Sequence, residues 1–248
     1  MVTMKQMMLV IACLWLFGCA ESKTETVILP FSLNFEGQEV TCSSALQVNA
    51  LTLYIHDLAL QELSGQWQKV ELDNALNSPW QNESIALLDL APCQTNQMGL
   101  TSVVMKVKPG QYRGVRFRIG VPEALNHQDP QLARAPLDIN QLQWHWTVGY
   151  KFAYFDLAWR EQTVKHHLGS SGCVGNIGDD IQCKYQNRPE IVLPSYQLGQ
   201  PIKLELRQFF TELPHARCFG KPQDKGCDTL FNLLGLQDAP QRIFRLGA

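Results

Sequence analysis

Neither acidic nor basic residues are in clear excess in this chain. Lysine and arginine number 21 against 23 acidic residues over 248 positions, a formal net charge of −2, and basic residues nowhere form a run. A phosphate backbone would find no electrostatic footprint here, so nucleic acid is not an expected partner. Past the amino-terminal segment no apolar stretch is long enough to cross a bilayer as a helix. Internal repeats and low-complexity segments are absent. So are His-x-x-x-His and His-Glu-x-x-His, which leaves a zinc-protease site unsupported. No Cys-x-x-Cys pair occurs, and no Cys-x-x-Cys-His that would hold a covalent haem. A serine nucleophile at an elbow needs Gly-x-Ser-x-Gly between a strand and a helix. Gly169-Ser170-Ser171-Gly172-Cys173 lacks that spacing, and the chain is not expected to be an enzyme.

The amino terminus carries an address. Lys5 precedes the apolar run MMLVIACLWLF, too short for a spanning helix. The run ends in Leu16-Phe17-Gly18-Cys19, which resembles the bacterial lipobox. That resemblance implies removal of residues 1–18 and thioether lipidation of Cys19. Ala20 stands where an inner-membrane retention signal would show Asp, so the outer membrane is favoured. Residues 19–26 then form a polar tether, and 27–248 one domain in the periplasm, held to a membrane by acyl chains.

About 230 residues remain, enough for one large domain with a real core. Of eight cysteines, Cys13 leaves with the signal and Cys19 carries lipid. The remaining six are Cys42, Cys93, Cys173, Cys183, Cys218 and Cys227. An even count in an exported chain reads as disulfides, with thiolate metal ligation as the competitor. Spacing favours Cys173–Cys183 and Cys218–Cys227 as local staples and leaves Cys42–Cys93 as the long bridge.

Many short alternating segments separated by turns predict an all-β fold, an antiparallel β-sandwich or open barrel with short helical turns and disulfide-stapled loops. Strands are expected over 27–35, 40–43, 51–60, 85–90, 101–107 and 112–121, the last two as a hairpin joined by Pro109-Gly110. Single helical turns are expected at 123–126, 209–213 and 230–236. The most aromatic stretch, QLQWHWTVGYKFAYFD at 141–156, alternates with period two. It reads as one strand with Trp144, Trp146, Val148, Tyr150, Phe152 and Tyr154 on one face and His145, Thr147, Lys151 and Phe155 on the other.

Six histidines are present, and a metal site would have to be assembled from separate strands. The strings GVPEALNH (120–127), APLDINQLQWHWTVGYKF (135–152) and HLGSSGC (167–173), with a late cysteine loop ending in LFNLLGL (230–236), resemble the MbnP family. These are the copper-binding proteins of the metallo-mystery pair, and the likeness runs from FSLNFEG to LLGL.

The resemblance implies an exported copper-binding protein that carries no haem of its own. It implies a di-haem c-type partner resembling MauG, which oxidises a tryptophan at the copper site to kynurenine. Carried over, the W-x-W element is Trp144 and Trp146, the histidine of HLGS is His167, and that of the NH motif is His127. His56 lies in a strand that family members share. The expected ligand set is His56 and His167 with one of the two tryptophans, and His127 next. Leu142-Gln143 departs from a common Met-Phe, and His145 from a small or polar residue. The rival reading is a structural or surface-interaction lipoprotein whose aromatic run is simply core.

Overall fold

The computed structural model describes residues 23–74, 77–145, 147–176, 181–212, 217–218, 227–236 and 240–247. The signal segment and Cys19 lie outside them. The first strand, β1 (Glu25–Phe35), begins inside the expected tether: Glu25 and Thr26 already pair across the sheet with Val107 and Lys106. Glu36 and Gly37 turn the chain with φ of 53° and 81° into β2 (Gln38–Glu39), which folds back on β1. The strand expected over 40–43 does not form. Thr41 N–H donates to Ser44 Oγ at 2.9 Å and Ser44 N–H to Thr41 O at 3.1 Å, so a turn takes those backbone groups.

The centre of the molecule is β3 (Gln47–Glu62), buried on both faces over residues 51–56. Leu51, Leu53 and Ile55 point one way; Thr52, Tyr54 and His56 point the other. After it come β4 (Trp67–Lys69), β5 (Glu71–Leu72), β6 (Ile85–Asp89), β7 (Ser102–Val107) and β8 (Tyr112–Ile119). The expected β7–β8 hairpin is not made. β7 pairs with β1 and β5, whereas β8 pairs with β3 and with β15 (Glu190–Pro194). Each strand has one apolar face, Val103, Met105 and Val107 on β7 and Val115, Phe117 and Ile119 on β8. Both faces join the single core between the two sheets.

The remaining elements are α1 (Glu123–Asn126), β9 (Gln143–His145), β10 (Gly149–Tyr150), β11 (Ala153–Trp159), β12 (Gln162–Leu168), β13 (Ser171–Val174), β14 (Gln182–Tyr185), β16 (Ile202–Glu205), α2 (Arg207–Glu212), β17 (Arg217–Cys218), α3 (Cys227–Leu234) and β18 (Phe244–Leu246). One sheet runs β18-β16-β1-β7-β5, with β2 on β1. The other runs β15-β8-β3-β11-β12-β17, with β4 and β6 on β3. The result is a mainly antiparallel sandwich with two parallel pairs, β1–β16 and β12–β17. Phe117 links the layers, meeting Phe31 at 5.8 Å and Phe244 at 5.6 Å edge to face. A fully buried phenyl of this kind stabilises the fold by roughly 2–3 kcal/mol. Bridges join Cys42–Cys93, Cys173–Cys183 and Cys218–Cys227, the pairing that spacing favours.

The aromatic stretch is not one strand. Val148 N–H donates to His145 O at 2.9 Å, and Gly149 has a φ of 84°, so the segment turns into the β9–β10 hairpin. Lys151 and Phe152 then cross over, their amides bonding Leu142 O and Leu168 O at 2.7 Å each. Phe152 and Ala153 are both buried, which breaks the alternation and restarts it one residue out of step. Phe155 therefore faces the core with Ala153, Leu157 and Trp159, and Tyr154 faces outward with Asp156. The expected face, which set Tyr154 with Tyr150 and Phe152, is split here.

Candidate metal centre

Strand pairing places Tyr154 opposite His167 on β12 and opposite Thr52 on β3. The His167 ring lies 4.6 Å from the Tyr154 ring, edge-on at 89°. On its other side Trp144, from the β9–β10 hairpin, lies 5.6 Å away at 75°. One imidazole is thus held between a phenol and an indole. Gly169 lets the indole in: a β-carbon there would stand 3.2 Å from Trp144 Cε3 and 3.0 Å from Tyr150 O.

Burial, and then the ammonium groups of Lys151 and Lys165, push the His167 pKa down to about 4 against the opposing pull of Asp156. The ring is neutral near pH 7, the form that donates a lone pair to a metal. Tyr154 Oη donates to Asp156 Oδ2 at 3.0 Å, and Lys165 Nζ sits 2.7 Å from the same oxygen. Burial raises the Asp156 carboxyl. The bonds from Lys165, Asn49 and Tyr154 outweigh it and hold the pKa below the ordinary carboxylate range. Tyr154 and its acidic neighbour were not singled out from sequence. The usable signal was Tyr154-x-Asp156, two polar groups two residues apart on a strand and hence on one face.

His56 stands elsewhere. Its side chain is on the same face of the sheet as His167, but β11 separates their strands and Tyr54 intervenes along β3. Four residues along and two strands across put the two Cα atoms roughly 16 Å apart, beyond what one ion can bridge in this conformation. His56 is buried among β6 and β8, paired in register with Ile85 and Arg118, and its Nδ1 is 3.2 Å from Asp57. Burial lowers its pKa to about 4; Asp57 opposes this, and Arg188 and Arg118 reinforce it.

His127 stands at the end of α1. Its Nε2 lies 3.1 Å from Asn126 Nδ2 and 3.4 Å from Cys183 Sγ. His145 is exposed at the hairpin turn, its Nδ1 2.8 Å from Thr147 Oγ1. Trp146 and His215 lie outside the described residues. His166 points into the core against Phe209, 6.2 Å away. Ser170 and Ser171 are buried, Ser170 Oγ donating to Gln186 O at 3.3 Å and Ser171 Oγ lying 3.4 Å from Asn187 Nδ2.

The family profile of MbnP matches residues 24–221. This chain belongs to the MbnP family. Among solved structures it is similar to MbnP from Methylosinus trichosporium, with a TM-score of 0.74 and 24% sequence identity, over 91% of this chain and 99% of that one. At that identity the likeness speaks for the fold: the MbnP sandwich is shared. No curated protein matches the chain at a significant level.

Proposed function

We propose that this MbnP-family chain is a lipid-anchored copper-binding protein of the bacterial periplasm, placed on the outer membrane by its sorting residue. It is a binding protein and not an enzyme. Its partner is a di-haem c-type protein resembling MauG, and the partner's target is Trp144. Membership of the family supports a role in the methanobactin and copper system. The observation that carries the residue-level reading is the contact of the Trp144 indole with the neutral His167 imidazole.

The donor chemistry fits copper. A neutral imidazole is a good ligand for either copper oxidation state. An indole is a poor ligand, but opened at its C2–C3 bond to kynurenine it offers an aryl amine and a ketone. His167 would then supply one nitrogen and residue 144 the other, with the ion serving as the bound cargo. This chain's own residues do the positioning. Tyr154 and Gly169 fix the plane of His167 and the approach of residue 144, and the Asp156–Lys165 pair holds Tyr154. The opening would take four electrons, which the partner accepts, and three waters, and it would release C2 as formic acid with four protons; electron removal needs a short path and not a shared pocket.

Co-expression with a two-haem partner tests this. The peptide containing residues 144–146 is expected to change mass to that of kynurenine, and the purified protein to hold one copper. Trp144→Phe abolishes the mass change, and Trp146→Phe keeps it. An unchanged mass together with no stoichiometric copper returns the chain to a structural lipoprotein.

A further inference from the structure

His127 and the Cys173–Cys183 bridge form a group that the Trp144–His167 site does not use. Cys173 and Cys183 face each other in register on the β13–β14 hairpin. Their sulfurs and a ring nitrogen of His127 all lie within 4.8 Å of one another. The geometry points to a second, redox-gated metal site here: with the bridge reduced, two thiolates and His127 Nε2 hold one soft d10 cation, Cu(I) or Zn(II).

Asn126 settles which ring nitrogen of His127 carries the lone pair. Its Oδ1 accepts the Tyr150 N–H at 3.1 Å, and its Nδ2 donates to Val148 O at 3.2 Å, so backbone partners fix the orientation of the amide. The second N–H of that Nδ2 donates to His127 Nε2 at 3.1 Å. Nε2 therefore carries the lone pair, and it is the atom 3.4 Å from Cys183 Sγ; an ion that takes it displaces the Asn126 N–H. Metal–sulfur bonds of about 2.3 Å and metal–nitrogen bonds of about 2.0 Å set donors around one ion about 3.5–4 Å apart. Cys183 Sγ and His127 Nε2 are close to that spacing already, and the two sulfurs separate by side-chain rotation once they are no longer bonded.

The chemistry balances. A dithiol attacks one sulfur of the bridge and forms a mixed disulfide, and its second thiol resolves this. The dithiol leaves as a disulfide and Cys173 and Cys183 become thiols. Cation binding then releases the two thiol protons. Exchange with an oxidised small disulfide reverses this: it leaves as two thiols, Cys173 and Cys183 return to neutral disulfide sulfur, a poor ligand, and the ion is expelled. Gly172, Val174, Gln182 and Lys184 are exposed, so a dithiol can reach the hairpin. A site of this kind makes the metal load depend on the thiol poise of the compartment, independently of the tryptophan.

The test compares oxidised protein with protein reduced by dithiothreitol and then freed of it under argon. Each is titrated with Cu(I) in competition with bicinchoninate and, separately, with Zn²⁺. Reduced protein is expected to bind one equivalent more than oxidised protein. That equivalent survives in Trp144→Phe, which separates it from the copper reading above. It survives in Cys42→Ala/Cys93→Ala and is lost in Cys173→Ala/Cys183→Ala. His127→Ala, which keeps the bridge, weakens it at least about 10-fold. The inference is overturned if the reduced protein gains no equivalent, or if the gain persists in Cys173→Ala/Cys183→Ala. It is equally overturned if His127→Ala leaves the affinity unchanged, or if alkylation and peptide mapping show the bridge intact after dithiothreitol treatment of the folded protein.

Discussion

Trp144 rests on Gly169 so closely that a side chain at 169 would press on the indole and on the backbone beside it. A β-carbon there would stand 3.2 Å from the indole and 3.0 Å from the carbonyl of Tyr150. The carbonyl belongs to the backbone and cannot step aside cheaply. Gly169→Ala is therefore expected to displace the β9–β10 hairpin and carry Trp144 off His167. The overpacking should cost about 1–3 kcal/mol in urea denaturation. Copper affinity should fall at least ~10-fold, since positioning groups around a ligand are worth that much. A variant destabilised as expected but with unchanged copper affinity would show that Trp144 does not need its present seat.

Tyr154 touches His167 through its ring and Asp156 through its hydroxyl, and the two contacts can be separated. Tyr154→Phe keeps the ring edge against the imidazole and removes one partly buried hydrogen bond, a loss of about 1 kcal/mol. Copper affinity should stay within ~3-fold. Tyr154→Ala removes one wall of the imidazole, and affinity should drop by about 10-fold or more. Competition titrations on the two variants, with circular dichroism to confirm the fold, check the difference. Equal affinities in the two would remove the ring from the site.

The alternation of residues along most strands was legible in the sequence, and so were the sandwich class, the one-turn helix α1 and the cystine pairing. What failed was pairing at a distance. Whether β7 and β8 lie side by side or face to face depends on which strands compete for their edges, and β1 and β15 win through contacts with no local signature. The aromatic stretch failed for a different reason. Period-two logic holds only while the chain stays extended, and Gly149 ends that extension. The crossing at Phe152 then exchanges the faces of Tyr154 and Phe155. Of the candidate residues, the motifs brought Trp144 and His167 to one place. His56 went to another, because a motif specifies a strand position and the sheet register decides its neighbours.

His56 and His166 are both buried, with pKa values pushed down to about 4 by burial. In an unfolded chain each would titrate near about 6.5. Between those values the unfolded state binds protons that the folded state refuses, so stability falls as pH drops from about 6.5 toward 4 and is fully present above 6.5. Urea midpoints of metal-free protein should decline across that window. His166→Leu replaces a core imidazole whose ring nitrogens lack hydrogen-bond partners among the described residues. It should flatten the decline and leave the neutral-pH midpoint equal or higher. A decline as steep as in the parent protein would place the acid sensitivity elsewhere.

The bridge from Cys42 to Cys93 spans 51 residues and ties the turn after β2 to the loop after β6, one on each layer of the sandwich. Closing a loop of that size in the unfolded chain removes several kcal/mol of its conformational freedom. The double variant Cys42→Ala/Cys93→Ala should lose about 2–5 kcal/mol of stability. It should leave the Trp144–His167 contact in place, since β9 to β12 make none of their pairings through either loop. Denaturation midpoint and copper stoichiometry measured on the same preparation separate the two effects. A folded variant that had lost its copper would show that this bridge shapes the metal centre as well as stabilising the sandwich.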